Sequence, residues 1–334
     1  MSILNLIAVS LCTLPLHLAG CASSPQHQSL TIAHTFKSSP HQTNNYPVLI
    51  DTPENFNPNT SFAIILYHGG YLSDPHWTVP GTYTQDGQEI PITINSKPTT
   101  DADTLATALL ANGYAVIRYG SININKDQAQ PSPISFPQTV ELAQQVLKAT
   151  RENLAISPAR CITLGHSLGA TRAAITAPDA AAHIILAGAY ITPTMTSPFS
   201  LAQNAQANTS AEDYDHSGTI DPFEQAAHHA ITNNTTKTHD LFTNNNHTYP
   251  WPSDTLIESN IPTLALWGSL DPTSYHGPVL EHLFKQANKH HLLTTHYFPQ
   301  RGHNLSTQEN NRIDKIDPAV IQTIINWLSE HFPT

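Results

Sequence analysis

Residues Arg160 to Thr176 constrain this chain more than any other stretch. Arg160-Cys161-Ile162-Thr163-Leu164 is short, mostly apolar and β-branched, the pattern of a buried strand. Leu168 to Thr176, with Ala170, Ala173 and Ala174, has the composition of a helix and is closed by Pro178. Gly165, His166 and Ser167 separate the two, so a strand must turn sharply into a helix there. The pentapeptide Gly165-His166-Ser167-Leu168-Gly169 sets a glycine on either side of the turn, where a side chain would clash. Such a turn lifts its serine above the carboxyl edge of a sheet. A bare G-x-S-x-G is often only a structural turn; the flanking strand and helix give it weight here.

Three more signals follow the same logic. Phe62 to Tyr67 is an apolar strand that runs into His68-Gly69-Gly70-Tyr71, a glycine-rich loop whose backbone N–H groups are free to face an oxyanion. Thr263 to Gly268 is another buried strand, followed by Ser269-Leu270-Asp271-Pro272. An acid just past a strand end shares the carboxyl edge of a parallel sheet with the serine. Thr294 to Phe298 is a last strand, followed by Gln300-Arg301-Gly302-His303-Asn304-Leu305. The chain order is therefore Ser167, Asp271, His303.

With that order and these motifs, the chain from about Ile50 onward resembles an α/β-hydrolase. It is close in pattern to secreted esterases of the dienelactone-hydrolase and prolyl-oligopeptidase-like groups. Leu105 to Arg118, a helix, a glycine exit and a strand, and Ile184 to Ala189 fit the same pattern. The resemblance implies an α/β fold with a mostly parallel central sheet flanked by helices, and a cap inserted after the sixth strand. Two stretches depart from it. Arg118-Tyr119-Gly120-Ser121 lacks the charged residues often found after that strand. Asp74 to Thr100 is longer than usual and holds a hairpin turn at Asp86-Gly87.

The residue types define an expected chemistry. A serine hydroxyl is a weak nucleophile at neutral pH and needs a base beside it. His303 is the expected base, and Asp271 the group that holds its tautomer and stabilises the imidazolium. The N–H of Leu168 and one from Gly70 or Tyr71 are the expected oxyanion donors. Histidine makes up 20 of the 334 residues, so position and not presence selects His303. His296 falls within a strand and His166 within the turn, both structural positions. Asp254 and Asp240 follow no clear strand. The expected substrate is a small-molecule ester.

The N-terminus carries a different message. Ile3 to Leu18 is apolar, and Leu18-Ala19-Gly20-Cys21 has small residues ahead of a cysteine. This resembles a bacterial lipoprotein signal over residues 1–20, although the n-region has no Lys or Arg. It implies acylation of Cys21, a lipid anchor in the membrane and an extracytoplasmic place in the cell envelope. Residues 21–41, rich in Ser, Gln and His, are expected to be a flexible tether, and 42–334 the hydrolase domain. Of three cysteines only Cys161 lies in that domain, a small buried hydrophobe with no partner for a disulfide. A net charge of −11 with few charged residues argues against nucleic acid as a partner.

Between residues 192 and 260 the strand–helix alternation stops, the expected cap insertion. Residues 213–224 match a twelve-position calcium loop of the EF-hand type. Asp213, Asp215 and Ser217 take its first three ligand positions and Gly218 its turn. Thr219 offers a carbonyl, Asp221 a direct or water-mediated oxygen and Glu224 the bidentate carboxylate. Calcium is the cofactor this implies, in a structural role, since no second such loop accompanies it. Two further functions stay open at this point. One is a peptidase of the prolyl-oligopeptidase type, although no long propeller-like domain precedes the hydrolase pattern. The other is a calcium-dependent binding lipoprotein on an inactive hydrolase fold.

Overall fold

The computed structural model describes residues 25–35, 43–70, 73–85, 88–121, 134–189, 191–192, 224, 228, 249–309 and 312–334. Cys21, Tyr71 and all of the 213–224 loop except Glu224 lie outside them. Glu224 and His228, one turn apart, are both helical, and Glu224 is buried.

Eight strands form the central sheet: β1 (Gln26–Thr35), β2 (Thr43–Thr52), β3 (Ala63–Tyr67), β4 (Ala115–Tyr119), β5 (Cys161–His166), β6 (Ala182–Leu186), β7 (Thr263–Gly268) and β8 (Leu293–Phe298). Their order is β1-β2-β4-β3-β5-β6-β7-β8. β2 runs antiparallel to β1 and β4, and every pair from β4 to β8 is parallel. The expected mostly parallel sheet is therefore present. Its inner strands are buried on both faces, which is why they read as unbroken apolar runs and not as alternations.

Alternate residues of one strand feed opposite layers. Ile64 and Leu66 of β3 pack with Leu105 and Leu109 of α1 (Asp101–Ala111) and with Ile324 and Leu328 of the C-terminal helix, α6 (Pro318–His331). Ile65 and Tyr67 face Leu142 and Val146 of α2 (Phe136–Leu154). On that second face, α3 (Leu168–Thr176) and α5 (His276–Gln286) cover β6 and β7 through Ala170, Ala174, Leu280, Phe284 and Trp267, beside Leu256 of α4 (Pro252–Ser259). Fully burying each such Leu, Ile or Phe contributes about 1.5–3 kcal/mol, so the layers are held mainly by this surface.

The N-terminal stretch corrects the expected tether. Gln26–Thr35 is an edge strand paired with β2 from Gln26↔Thr52 to Thr35↔Thr43. Leu30 and Ile32 alternate onto the core, at 6% and 9% exposed, between polar residues. His27 also reaches Asp51, which pairs with Arg118 at 2.5 Å, and Arg118 in turn meets Asp103 of α1. Two of the smaller expectations hold. Thr82–Gln85 and Gln88–Pro91 pair antiparallel on either side of Asp86-Gly87, which lie outside the described residues, and Cys161 is buried.

Three histidines, His68, His183 and His276, are buried and a fourth, His166, is half-buried, and their titration gives the fold a direction with pH. Burial pushes the imidazoles of His166 and His183 down to about 4 and that of His276 to about 3; His68 is held well below its usual value by burial and by Arg172. Below about pH 6.5 the unfolded chain binds protons that these folded sites refuse, so stability falls as pH falls from there toward 4. Each buried imidazole costs about 1.4 kcal/mol per pH unit in that window. Asp101 acts in the opposite sense. Burial raises its carboxyl to about 6, so between pH 6 and 4 it is the folded state that binds the extra proton. One group against four leaves a net loss. The thermal midpoint should drop clearly between pH 7 and pH 5, and an equal or higher midpoint at pH 5 would contradict the argument.

Candidate active site

The carboxyl ends of β3, β5, β7 and β8 meet at one edge of the sheet, and each delivers one predicted residue or loop. Ser167 stands between β5 and α3 with φ 53° and ψ −124°, a conformation a non-glycine residue seldom adopts. The fold holds it there from both sides. A Cβ on Gly165 would lie 2.5 Å from Ala170, and one on Gly169 would overlap the Tyr67 carbonyl. The Ser167 N–H is tied to the Leu186 carbonyl at 2.9 Å, and its carbonyl accepts from Ala170 at 3.1 Å. Sequence and strain therefore agree on one point: the turn can only be made this tightly with glycine at both flanks.

Asp271 follows β7 and is fully buried. A buried carboxylate must be satisfied, and this one is. The Thr273 N–H donates to Oδ1 at 2.8 Å and the Thr273 hydroxyl to Oδ2 at 2.7 Å. Its remaining partner is His303, whose Nδ1 lies 2.9 Å from Oδ1. A ring that donates from Nδ1 to a carboxylate has its lone pair at Nε2. That Nε2 is 2.9 Å from Ser167 Oγ. The three predicted residues, each 32 residues or more from the next in sequence, thus form one hydrogen-bonded line. The loop bearing His303 is fastened behind: Arg301 pairs with Asp317 at 2.6 Å, and the Leu305 carbonyl accepts from the Asp317 N–H at 3.0 Å.

The predicted oxyanion residues are beside the serine. Leu168 opens α3, so its N–H falls in the first turn, where no intrahelical acceptor exists. Gly70 has φ +62° and lines the same cavity as Ser167, with open space where a side chain would stand. Tyr71 lies outside the described residues. His296 is exposed on β8 and Asp254 lies on α4, both away from the line.

Three residues escaped the sequence. His166 is half-buried and does more than pack the turn: its Nε2 donates to the His303 backbone carbonyl at 2.9 Å. Arg172 is 1% exposed on α3 and donates to the carbonyls of His68 and, at 3.1 Å, Gly70. Asp101, the first residue of α1, is buried on the wall of the cavity. An arginine inside an alanine-rich helix was the one available signal, because a full charge on a buried helix face requires a specific partner.

Ser167 and His303 open onto a cavity of about 240 Å³ whose walls include Trp77, Val79, Leu186, Leu305 and Ile316. Trp77 and Val79 come from the long Asp74–Thr100 stretch, so that stretch shapes the cavity. The site thus sets a serine hydroxyl within hydrogen-bond distance of an imidazole nitrogen at the mouth of a mostly apolar recess.

No protein-family model matches the chain, and no curated protein matches it. Solved structures do. An esterase of the planctomycete Thermogutta terrifontis, determined with butyrate bound, is 12% identical over 89% of this chain and 94% of its own, with a TM-score of 0.51. A hyperthermophilic esterase from Pyrobaculum calidifontis is 14% identical over 92% and 87%, TM-score 0.49. A sugar hydrolase from Lactococcus lactis is 16% identical over 90% and 97%, TM-score 0.49. The fold is that of the α/β-hydrolases.

Proposed function

We propose that this protein is a serine hydrolase that cleaves small carboxylic esters through an acyl-enzyme. One observation carries the proposal: Asp271, His303 and Ser167 stand in a single hydrogen-bonded line with both links at 2.9 Å. In this reading His303 Nε2 takes the Ser167 proton as Oγ attacks the ester carbonyl. Asp271 keeps Nδ1 protonated and offsets the charge that forms on the ring. The tetrahedral oxyanion is met by the Leu168 N–H and by an N–H of the Gly70 loop. His303 then hands its proton to the leaving alcohol. Water, activated by the same nitrogen, releases the acid. The deep position of Asp271 favours this role, since water is kept from the carboxylate that orients the base.

The test is a panel of short acyl esters against their matching amides, read in the pre-steady state. A burst of alcohol from the esters, one equivalent per chain, with an acyl adduct on the Ser167 peptide, is the expected result. Turnover of amides at a comparable rate would favour the peptidase reading, and no turnover and no adduct would overturn both.

The sequence alone supports two further proposals. Cys21 would carry a lipid anchor at the cell envelope; a mature N-terminus elsewhere would refute this. The 213–224 loop, with Asp213, Asp215, Ser217, Thr219, Asp221 and Glu224 as ligands, would hold structural calcium. Calorimetric titration that shows no binding at millimolar calcium would remove that site.

A further inference from the structure

Asp101 gives the cavity a wall that ester hydrolysis alone does not need. It is the first residue of α1 and is 7% exposed. Its only hydrogen bond among the described residues is accepted at Oδ1 from the Ile316 N–H, at 3.0 Å. Oδ2 has no described partner, and Asp101 lines the recess that Ser167 and His303 open onto. The described charge that acts on it is a second carboxylate, Asp314, which together with burial makes its ionised form more costly. Among the described residues no lysine or arginine lines the cavity, and Trp77, Val79, Leu305 and Ile316 give it apolar walls.

A structural role accounts for half of this side chain. Oδ1 pins the segment before α6 to the start of α1, and an asparagine would do that equally well. The N-terminus of α1 favours an anion and offsets part of its charge, but neither that nor the Ile316 bond gives Oδ2 a described donor. A buried carboxylate with one donor and a like-charged neighbour costs stability, and a chain that keeps one beside a nucleophile keeps it where a ligand can complete it.

We infer that Asp101 selects substrates by their charge: the esters this site prefers carry an ammonium group on the portion that fills the cavity, and Asp101 Oδ2 receives it. This rests on the proposed ester hydrolysis at Ser167 and adds the substrate class to it. A cation suits the site better than a neutral hydroxyl, because it supplies both the missing donors and the missing positive charge. Anionic ends are excluded by the same carboxylate, since two like charges in one apolar recess repel strongly.

The experiment compares kcat/KM for three matched ester series: ω-amino, ω-hydroxy and unsubstituted. It is run once with the variation in the acyl part and once in the alcohol part, on the full-length protein and on Asp101→Asn. The wild-type protein should prefer the amino ester over the unsubstituted one by about tenfold or more in one of the two parts, with the hydroxy ester between them. In Asp101→Asn, which retains an acceptor for the Ile316 N–H, that ratio should fall to near one. The effect should reside in KM. Should the asparagine variant not fold, Asp101→Glu is the second variant, and its preferred chain should be shorter. Cleavage of unsubstituted esters with no amino preference, or with a preference that Asp101→Asn leaves intact, overturns the inference while ester hydrolysis stands. Absence of any ester cleavage and of any acyl adduct on Ser167 overturns ester hydrolysis, and the inference with it.

Discussion

Ser167→Ala should eliminate ester hydrolysis and covalent labelling by a fluorophosphonate, with the fold unchanged. The geometry dictates how the neighbouring variants should differ. His303→Ala removes the base, so the hydroxyl keeps its proton and the loss should approach that of Ser167→Ala. Asp271→Asn is subtler. Its amide would still face Nδ1 but as a donor, which forces the ring into the tautomer with Nε2 protonated and unable to accept from Ser167; a loss of about 10⁴ in kcat is expected. The three losses should not add, because each disables the same proton transfer. Stability provides an independent check. Ser167 has φ 53°, a conformation that glycine tolerates and serine does not. Ser167→Gly should therefore raise the thermal midpoint while activity disappears, with a gain in unfolding free energy of about 1 kcal/mol. Wild-type activity in Ser167→Ala would end the catalytic reading of this site, and a lower midpoint in Ser167→Gly would show that the turn is not strained.

The parts of this molecule that could be read in the chain are those where local pattern and tertiary position impose the same residues. β5, the turn and α3 were legible because a strand buried on both faces, a steric turn and an alanine-rich helix each leave a distinct trace within a few residues. Thr263–Gly268 was legible for the same reason. Asp271 and His303 were legible because residues just past parallel strands must share one edge. β1 was not. An edge strand needs only Leu30 and Ile32 on its inner face, and its polar remainder is indistinguishable by composition from a tether. α2, α4, α5 and α6 surfaced only in the structure, because their amphipathic patterns carry no motif. Asp101 was invisible for a different reason. Its place on the cavity wall depends on Ile316, more than two hundred residues later, and nothing near Asp101 in sequence announces that contact.

Arg172 is the second large effect expected, and the argument starts from peptide geometry. A trans peptide unit points its C=O and its N–H in opposite directions. Arg172 lies under the His68–Gly70 loop and donates to the carbonyls of His68 and Gly70, so it fixes the His68–Gly69 peptide unit, whose N–H points away from the guanidinium, and anchors the Gly70 carbonyl. A second tie acts on the same loop, from His68 Nδ1 to the Gly69 carbonyl at 2.9 Å. On the far side the loop is tight against the turn: a Cβ on Gly69 would come 2.8 Å from His166 Nδ1. The loop is thus held between Arg172 and His166, and the guanidinium fork is the one part of this clamp that reaches two carbonyls at once. In the proposed mechanism Arg172 would be a positioning residue: it lies five residues beyond Ser167 on α3, so the proposed nucleophile and oxyanion loop would share a rigid element. Arg172→Lys keeps the charge but offers no planar fork, and one carbonyl should be released. Losing a single well-placed oxyanion donor costs about 10²–10³ in kcat, and a released loop should approach that value. KM should change little, because the contact matters when charge develops on the carbonyl oxygen and not when the ester first binds. A boronic acid that mimics the tetrahedral intermediate should lose affinity in parallel with kcat. A lysine variant with full kcat, unchanged boronate affinity and only a lower thermal midpoint would show that Arg172 merely fills the space beneath the loop.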